Sequence, residues 1–186
     1  MQDILTNLST YGYLILFLYS LGGGMVAIIG AGLLSFEGNM NLTLSIIIAA
    51  VANFIGDMIL VYMGRYNKSS VMPYFKSHKR KLALAQILFK KYGDKIIFIK
   101  KYIYGLKTLV PLAIGLTKYS LIKFTIINAI CSVIWAISLG LASYYAGGFI
   151  SKFASYFGNR SYLVPLFLFI LLGLIWLYFS WATKKR

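Results

Sequence analysis

Acidic residues are scarce in this 186-residue sequence, which has 4 Asp and Glu against 19 Lys and Arg and a formal net charge of +15. Only 12% of the residues are charged, whereas soluble domains usually have about 25%. A strongly basic chain binds either nucleic acid or an anionic membrane surface. Uncharged runs such as 162–178 favour the membrane and argue against a nucleic-acid-binding domain.

Cysteine and histidine are almost missing, with Cys131 and His78 as the single examples. One cysteine cannot form an internal disulfide, and no Cys/His pattern for a metal is present. His78 stands among lysines and is predicted to be a solvated surface residue. Paired carboxylates, a His-containing triad and a P-loop pattern are also absent from the sequence. We therefore predict a protein that is not an enzyme and that uses no metal or other cofactor.

Long apolar runs dominate the rest of the chain. Four of them have about the 20 residues that a helix needs to cross the hydrocarbon core, and these are 4–21, 42–63, 121–146 and 162–181. The first is interpreted as a retained helix rather than a cleaved signal peptide, because no basic residue precedes it. Two more runs, 22–36 and 96–116, are too short or too interrupted by Gly, Pro and Lys for a straight span. Broken backbone at membrane depth needs protein or a wet cavity around it, so we predict two re-entrant hairpins.

The basic residues predict the orientation. Nine lie between Arg65 and Lys95, and three more end the chain, whereas the segment between the third and fourth spans has only Lys152 and Arg160. Basic loops stay in the cytoplasm. The pattern predicts a multi-pass protein with both termini cytoplasmic, the first hairpin opening outward and the second inward.

The opposed hairpins suggest an inverted repeat. A shift of 83 positions aligns Gly32 with Gly115 and Gly64 with Gly147, although chance explains such matches between small residues equally well. The predicted fold class is an all-α integral membrane protein with four transmembrane helices plus two re-entrant hairpins in an inverted repeat. Within a single membrane domain, 1–186, we predict a first hairpin and span (22–66), a basic cytoplasmic interfacial segment (67–95), a second hairpin and span (96–148) and a C-terminal span (160–183).

Three ionisable residues inside these apolar runs need a reason, because each costs at least about 2.5 to 3.5 kcal/mol to insert. Lys101 and Lys107 flank Gly105 in the second hairpin, and a turn there would let both ammonium groups face one cavity and attract a phosphate headgroup. The alternative is that they extend to the cytoplasmic headgroups, which is the interpretation we prefer for Lys100. Asp57 pairs with a hairpin lysine, carries a proton or fixes packing; the sequence leaves these open.

The second hairpin resembles a motif of the DedA family, whose members share the VTT (SNARE-associated) domain. The stretch 98–115, FIKKYIYGLKTLVPLAIG, is similar to F-x-x-R-F-x-P-G-x-R-T-x-x-P-x-x-A-G. Lys101 and Lys107 stand at the two functional arginines of the family, Tyr104 stands at its proline, and Gly105 agrees. Asp57 and Arg65 fall in a stretch similar to GD-x-x-x-Y-x-x-GR, and Asn128 belongs to a third, weaker match with Trp135, Tyr144 and Gly147.

The resemblance implies a lipid translocase, a flippase or scramblase of the bacterial inner (plasma) membrane. Its substrate would be a phosphate-bearing lipid such as undecaprenyl phosphate or a phospholipid. The implied substrate-binding residues are Lys101, Lys107, Asp57, Tyr104, Gly105, Arg65 and Asn128. Membrane lipids are the predicted partners, nucleic acid is not, and a homo-oligomer is left open. The alternatives are a lipid-binding assembly protein that moves nothing and, less favoured, a small-ion or solute channel.

This chain departs from the family pattern in two ways. Both arginines are lysines, and an ammonium is a point charge without the two-pronged phosphate contact of a guanidinium. The first hairpin of the family usually carries acidic residues, but no acid lies between Tyr11 and Phe36. The second departure argues against proton coupling through that hairpin and favours an uncoupled scramblase or a different substrate.

Overall fold

The computed structural model describes residues 2–67, 79–103 and 106–156, with side chains for 11–67, 82–103 and 106–152. Over these residues the chain is helical and forms no strand, which confirms the predicted all-α class. The helices are α1 (Gln2–Leu21), α2 (Met25–Phe36), α3 (Leu42–Tyr66), α4 (Lys79–Tyr92), α5 (Lys95–Ile99), α6 (Leu106–Gly115) and α7 (Leu121–Tyr156). The predicted fourth span, 162–181, lies outside the described residues.

Two helices, α3 and α7, are long and apolar enough to cross a membrane. The side chain of Asn41 caps α3 by accepting a hydrogen bond from the backbone N–H of Leu44. Asn128 of α7 donates to the carbonyl of Phe54, whereas Gly140, further along α7, lies close to Ile46, nearer the start of α3. The two helices therefore run antiparallel, and both predicted central spans are present.

A tight glycine turn joins α1 to α2. The backbone N–H of Gly23 donates to the carbonyl of Ser20, and Gly23 has φ +74, which a residue with a Cβ rarely adopts. The turn lies beside the middle of α3, because a Cβ on Gly56 would come within 1.9 Å of the Leu21 carbonyl oxygen. At 1.5 Å per residue, Gly56 is about 21 Å along α3 from Leu42.

Helix α1 covers the predicted first span, 4–21, and its second half lies along the first half of α3. Its Tyr13 hydroxyl accepts a hydrogen bond from the backbone N–H of Asn41, and its Gly12 lies against Met40. Residues 12–21 thus run from the start of α3 to its middle, and α2 returns from there toward Phe36. The glycine turn is the apex of a helical hairpin whose two arms are α1 and α2.

The second hairpin begins at the other end of α3. Its arm α6 packs against the last turns of α3, where a Cβ on Gly115 would lie 2.3 Å from the carbonyl oxygen of Val61. Arg65 donates to the carbonyls of Gly115 and Tyr119 at 3.0 and 2.6 Å, which satisfies the C-terminal end of α6. The turn after α5 places Lys100 and Lys101 beside the middle of α3. The two hairpins therefore approach α3 from opposite ends.

Helix α4 lies within the predicted interfacial segment, 67–95, and packs part of its apolar surface against the protein. Leu82 and Ala85 are buried in a cluster with residues of α6, whereas Leu84 and Ile87 are exposed. The basic stretch before Lys79 is outside the described residues.

The chain divides into two compact units, 1–144 and 145–186. The first holds both hairpins, α3 and the part of α7 that contacts them. Of the second unit, the structure describes the remainder of α7, to Tyr156.

Candidate functional site

The glycine turn of the first hairpin and Lys107, at the start of α6 in the second, touch beside the middle of α3. A Cβ on Gly23 would lie 1.6 Å from Cε of Lys107, so the Lys107 side chain lies directly on the backbone of the glycine turn. Gly56 and Asp57 of α3 lie beside the same turn through the contact between Gly56 and Leu21. Glycine is needed at Gly23 both for its positive φ and for this close approach.

Asp57 is the anionic centre of the site. Its Oδ1 lies 2.6 Å from Nζ of Lys100 and its Oδ2 lies 2.8 Å from Nζ of Lys101. Asp57 is 5% exposed, and the two lysines are 0% and 1% exposed. Of the three roles that the sequence left open for Asp57, pairing with hairpin lysines is confirmed.

Lys101 is surrounded by oxygen atoms from two spans. Its Nζ lies 2.8 Å from Asp57 Oδ2 and 2.5, 3.0 and 2.9 Å from side-chain oxygens of Asn53, Asn128 and Ser132. An ammonium has three N–H donors, so four acceptors saturate it. We call these five residues together with Lys100 the Asp57 cluster. It ties the second hairpin to α3 and α7.

The expectation that Lys100 extends to the cytoplasmic headgroups is wrong. Its side chain is fully buried and its ammonium forms an ion pair with Asp57. The physical reason is that α5 ends at Ile99 after only five residues. Lys100 lies in the turn that follows, which enters the protein. A buried lysine needs a counter-charge, and Asp57 supplies it.

Lys107 has a different environment from Lys101. Its Nζ is buried and makes no hydrogen bond with any residue that the structure describes. The ammonium lies 5.1 Å from the ring centroid of Trp135, which is a cation–π distance. We call Lys107, Trp135 and the adjoining Gly23 turn the Lys107 site. Its ammonium keeps donors that the described protein groups do not use.

The other predicted site residues are distributed as follows. Asn128 lies in the Asp57 cluster with Lys101. Arg65 is separate, and its guanidinium is engaged with backbone carbonyls at the end of α6. Tyr104 and Gly105 lie outside the described residues, so their predicted contacts remain predictions.

Sequence reasoning missed Lys100, Asn53 and Ser132 as members of the cluster. A signal was present, since Asn53 and Asp57 are four residues apart in one apolar span, as are Asn128 and Ser132 in the other. Polar residues at this spacing share one helix face, and in a membrane such a face turns toward protein or a cavity. The two faces meet around Lys101.

The charges do not balance. Three lysines and one aspartate meet at the hairpin apices, which leaves an excess of two positive charges over the described side chains. No group of three potential metal-binding residues occurs in the described part of the chain. The arrangement is suited to binding an anion by charge and hydrogen bonds.

Comparisons with known proteins agree with these features. The VTT domain family matches residues 21–145. Undecaprenyl phosphate transporter A of Staphylococcus aureus is 30% identical over 155 residues, which cover 75% of this chain and 76% of the relative. Inner membrane protein YohD of Escherichia coli is 26% identical, with 79% and 76% covered, and protein DedA of the same species is 24% identical, with 68% and 60% covered. No solved structure matches the chain.

Proposed function

This chain belongs to the DedA family of VTT-domain membrane proteins, and from that premise we propose that it moves a phosphate-bearing lipid between the two leaflets of a bacterial inner membrane. The observation that carries the proposal is the buried ammonium of Lys107, which has no described hydrogen-bond partner and lies where the two hairpin apices meet.

The energetic argument starts from the cost of charge at membrane depth. An uncompensated buried cation is expensive, and proteins retain one where function needs it. Asp57 neutralises one of the three lysines, so an anionic headgroup would relieve the remaining excess. A lipid phosphate brings one or two negative charges to this point while its acyl chains stay in the surrounding lipid.

The identity of the substrate is supported by a relative. The Staphylococcus aureus relative, 30% identical, is named an undecaprenyl phosphate transporter. Undecaprenyl phosphate is therefore the first lipid to test, with phosphatidylethanolamine as the phospholipid alternative.

We propose that both hairpins are re-entrant. Helices α2 and α6 have 12 and 10 residues, or about 18 and 15 Å, which is about half of the 30 Å hydrocarbon core. Because the basic stretch follows the α6-facing end of α3, the second hairpin opens to the cytoplasm and the first opens outward. A cytoplasmic N-terminus requires α1 to cross completely; the contact between Tyr13 and Asn41 instead supports an outer start for α1.

An exchange of packing partners supports the inverted repeat. Gly32 of α2, in the first hairpin, approaches Gly140 and Ser143 of α7. Gly115 of α6, which aligns with Gly32 after the shift of 83, approaches Val61 and Gly64 of α3. Each hairpin thus packs a glycine against the span of the other repeat, as a pseudo-two-fold axis in the membrane plane requires.

We propose that translocation is uncoupled from protons. Both carboxylate oxygens of Asp57 are engaged by lysines, and the first hairpin has no acid between Tyr11 and Phe36. A pH gradient across reconstituted vesicles should therefore leave the rate of lipid exchange unchanged, and acceleration by the gradient would reject this part of the proposal.

The main test uses the full chain in liposomes with leaflet-labelled undecaprenyl phosphate or phosphatidylethanolamine. The wild type should accelerate exchange of at least one lipid, and Lys107→Met should abolish the acceleration because it removes the cation. Lys91→Met is the matched control: Lys91 also lies over an aromatic ring, Tyr92, but is exposed. No acceleration by the wild type for either lipid would reject transport and favour an assembly protein that only binds lipid.

A further inference from the structure

Two fully buried side chains near Lys107 keep polar groups without a partner. Ser20 Oγ and Trp135 Nε1 are both in residues that are 0% exposed, and neither makes a hydrogen bond within the described part of the chain. Buried donors are almost always paired, so each exception asks for an explanation such as a ligand. By contrast, the hydroxyl of Ser35 in the same hairpin donates to the carbonyl of Ala31.

Both residues lie close to Lys107 along the chain's packing, Trp135 through its ring and Ser20 through the glycine turn. The Trp135 ring lies 5.1 Å from Nζ of Lys107. The backbone carbonyl of Ser20 accepts a hydrogen bond from the backbone N–H of Gly23. The Lys107 side chain lies on Gly23. Leu16, one turn before Ser20 and therefore on the same helix face, packs in a cluster that contains Trp135.

We infer that Ser20 and Trp135 form, with Lys107, a binding site for the oxygens of a phosphate group, in which Ser20 Oγ–H and Trp135 Nε1–H are neutral donors. The lipid source of that phosphate rests on the proposed function; the site itself does not. Trp135 belongs to the third stretch that resembles the family, but neither Trp135 nor Ser20 is among the substrate-binding residues that the resemblance implied.

The chemistry explains why neutral donors are useful here. A phosphate presents three strong acceptor oxygens. An ammonium attracts them as a point charge but does not orient them, whereas a guanidinium would bind two at once. In a chain with lysine at this position, two fixed donors on separate helices supply the orientation that the lysine lacks.

The test measures binding rather than transport. The full chain in phosphatidylcholine nanodiscs is titrated calorimetrically with undecaprenyl phosphate, with uncharged undecaprenol and with inorganic phosphate. Ser20→Ala and Trp135→Phe should each weaken binding of undecaprenyl phosphate by about tenfold, the usual loss for one hydrogen bond to a charged group. Ser35→Ala, which removes a hydroxyl satisfied within its own helix, should leave binding unchanged.

The outcomes separate this inference from the proposed function. Wild-type affinity in both Ser20→Ala and Trp135→Phe, or equal affinity for undecaprenol, would overturn the phosphate site even if lipid transport is observed. Weakened binding in both variants without transport in liposomes would support the site and reject translocation. Inorganic phosphate that binds with the same dependence on Ser20 and Trp135 would also support the site, with free phosphate as its source.

Discussion

The Asp57 cluster and the Lys107 site lie side by side at the middle of α3 but treat their lysines in opposite ways. Lys101 is held by four side-chain oxygens, and Lys100 shares the same carboxylate. Lys107 rests on a glycine turn and an aromatic ring with its ammonium donors unused by the described residues.

This difference assigns the two regions different tasks. The Lys101 ammonium has no donor left for a ligand, and Lys100 is neutralised by its ion pair with Asp57. Together these contacts join the second hairpin to both long helices. An unsaturated buried cation contributes little to holding the fold together and is ready for an anion. We therefore expect substitutions in the Asp57 cluster to reduce stability first, and substitutions at the Lys107 site to reduce activity first.

The largest expected effect is that of Asp57→Asn. The substitution leaves Lys100 and Lys101 buried without a counter-charge, and removal of one partner of a buried pair costs about 3 to 5 kcal/mol. The loss should appear as a much lower midpoint of thermal unfolding in detergent. Lys107→Met should keep the wild-type midpoint, and an equal loss in both variants would contradict the division of tasks.

The second-largest expected effect is a difference between arginine substitutions at Lys101 and at Lys107. At Lys101 the larger guanidinium has to displace the surrounding side chains, and overpacking of this kind costs about 1 to 3 kcal/mol. At Lys107 an arginine can reach two phosphate oxygens at once, so lipid exchange should be as fast as in the wild type or faster. The comparison uses unfolding midpoints and liposome exchange rates for Lys101→Arg and Lys107→Arg. A Lys101→Arg protein with the wild-type midpoint would contradict the conclusion that the surroundings of Lys101 are fully occupied.

A pair of glycines tests the contact on which Lys107 lies. Gly23 and Gly38 both have positive φ, +74 and +80, so alanine at either costs about 1 to 2 kcal/mol in backbone strain. Only Gly23→Ala also collides with the Lys107 side chain, because a Cβ on Gly38 meets nothing within 4 Å. Gly23→Ala should lose lipid exchange while Gly38→Ala keeps it; similar exchange in both would show that Lys107 does not need its place on the turn.

The smallest effect concerns an exposed ion pair at the start of α7, which contrasts with the buried pairs of Asp57. Asp94 accepts hydrogen bonds from Lys123, at 2.7 Å, and from the Tyr119 hydroxyl. These contacts, Lys123 first, hold the pKa of Asp94 below its usual 3.8. Burial and then the Asp94 hydrogen bond raise the pKa of Tyr119, so the phenol stays a donor.

The lowered pKa of Asp94 determines how the stability of the protein changes with pH. The stabilisation is fully present above pH 3.8 and is lost as the pH falls through the lower folded-state value. Tyr119→Phe should reduce this loss, and the whole effect should stay below about 1 kcal/mol, as is usual for exposed pairs. Unfolding midpoints between pH 6 and pH 2 measure it; a larger acid loss in Tyr119→Phe than in the wild type would contradict the assignment.

Several parts of the fold were predictable because they depend on composition along the chain. Uninterrupted apolar length predicted α3 and α7, and glycine, proline and lysine inside shorter runs predicted the breaks at the glycine turn after α1 and at the end of α5. The packing of α1 along α3 was not predictable, because the 20 residues of α1 by themselves show only that it is long enough to cross a membrane. Only its contacts with Met40 and Gly56 show that it stops at the middle of α3.

By itself the sequence determined that this protein is built for lipid and that it places positive charge among apolar residues, since hydropathy and charge are properties of each residue and its neighbours. The tertiary structure alone decided which lysine is saturated and which is available. The four partners of Lys101 lie 27 to 48 positions away in the chain, and the Trp135 ring and the glycine turn come to Lys107 from two other helical segments. Hydrogen bonding depends on where side chains converge in space, and that convergence exists only once the two hairpins have packed against α3.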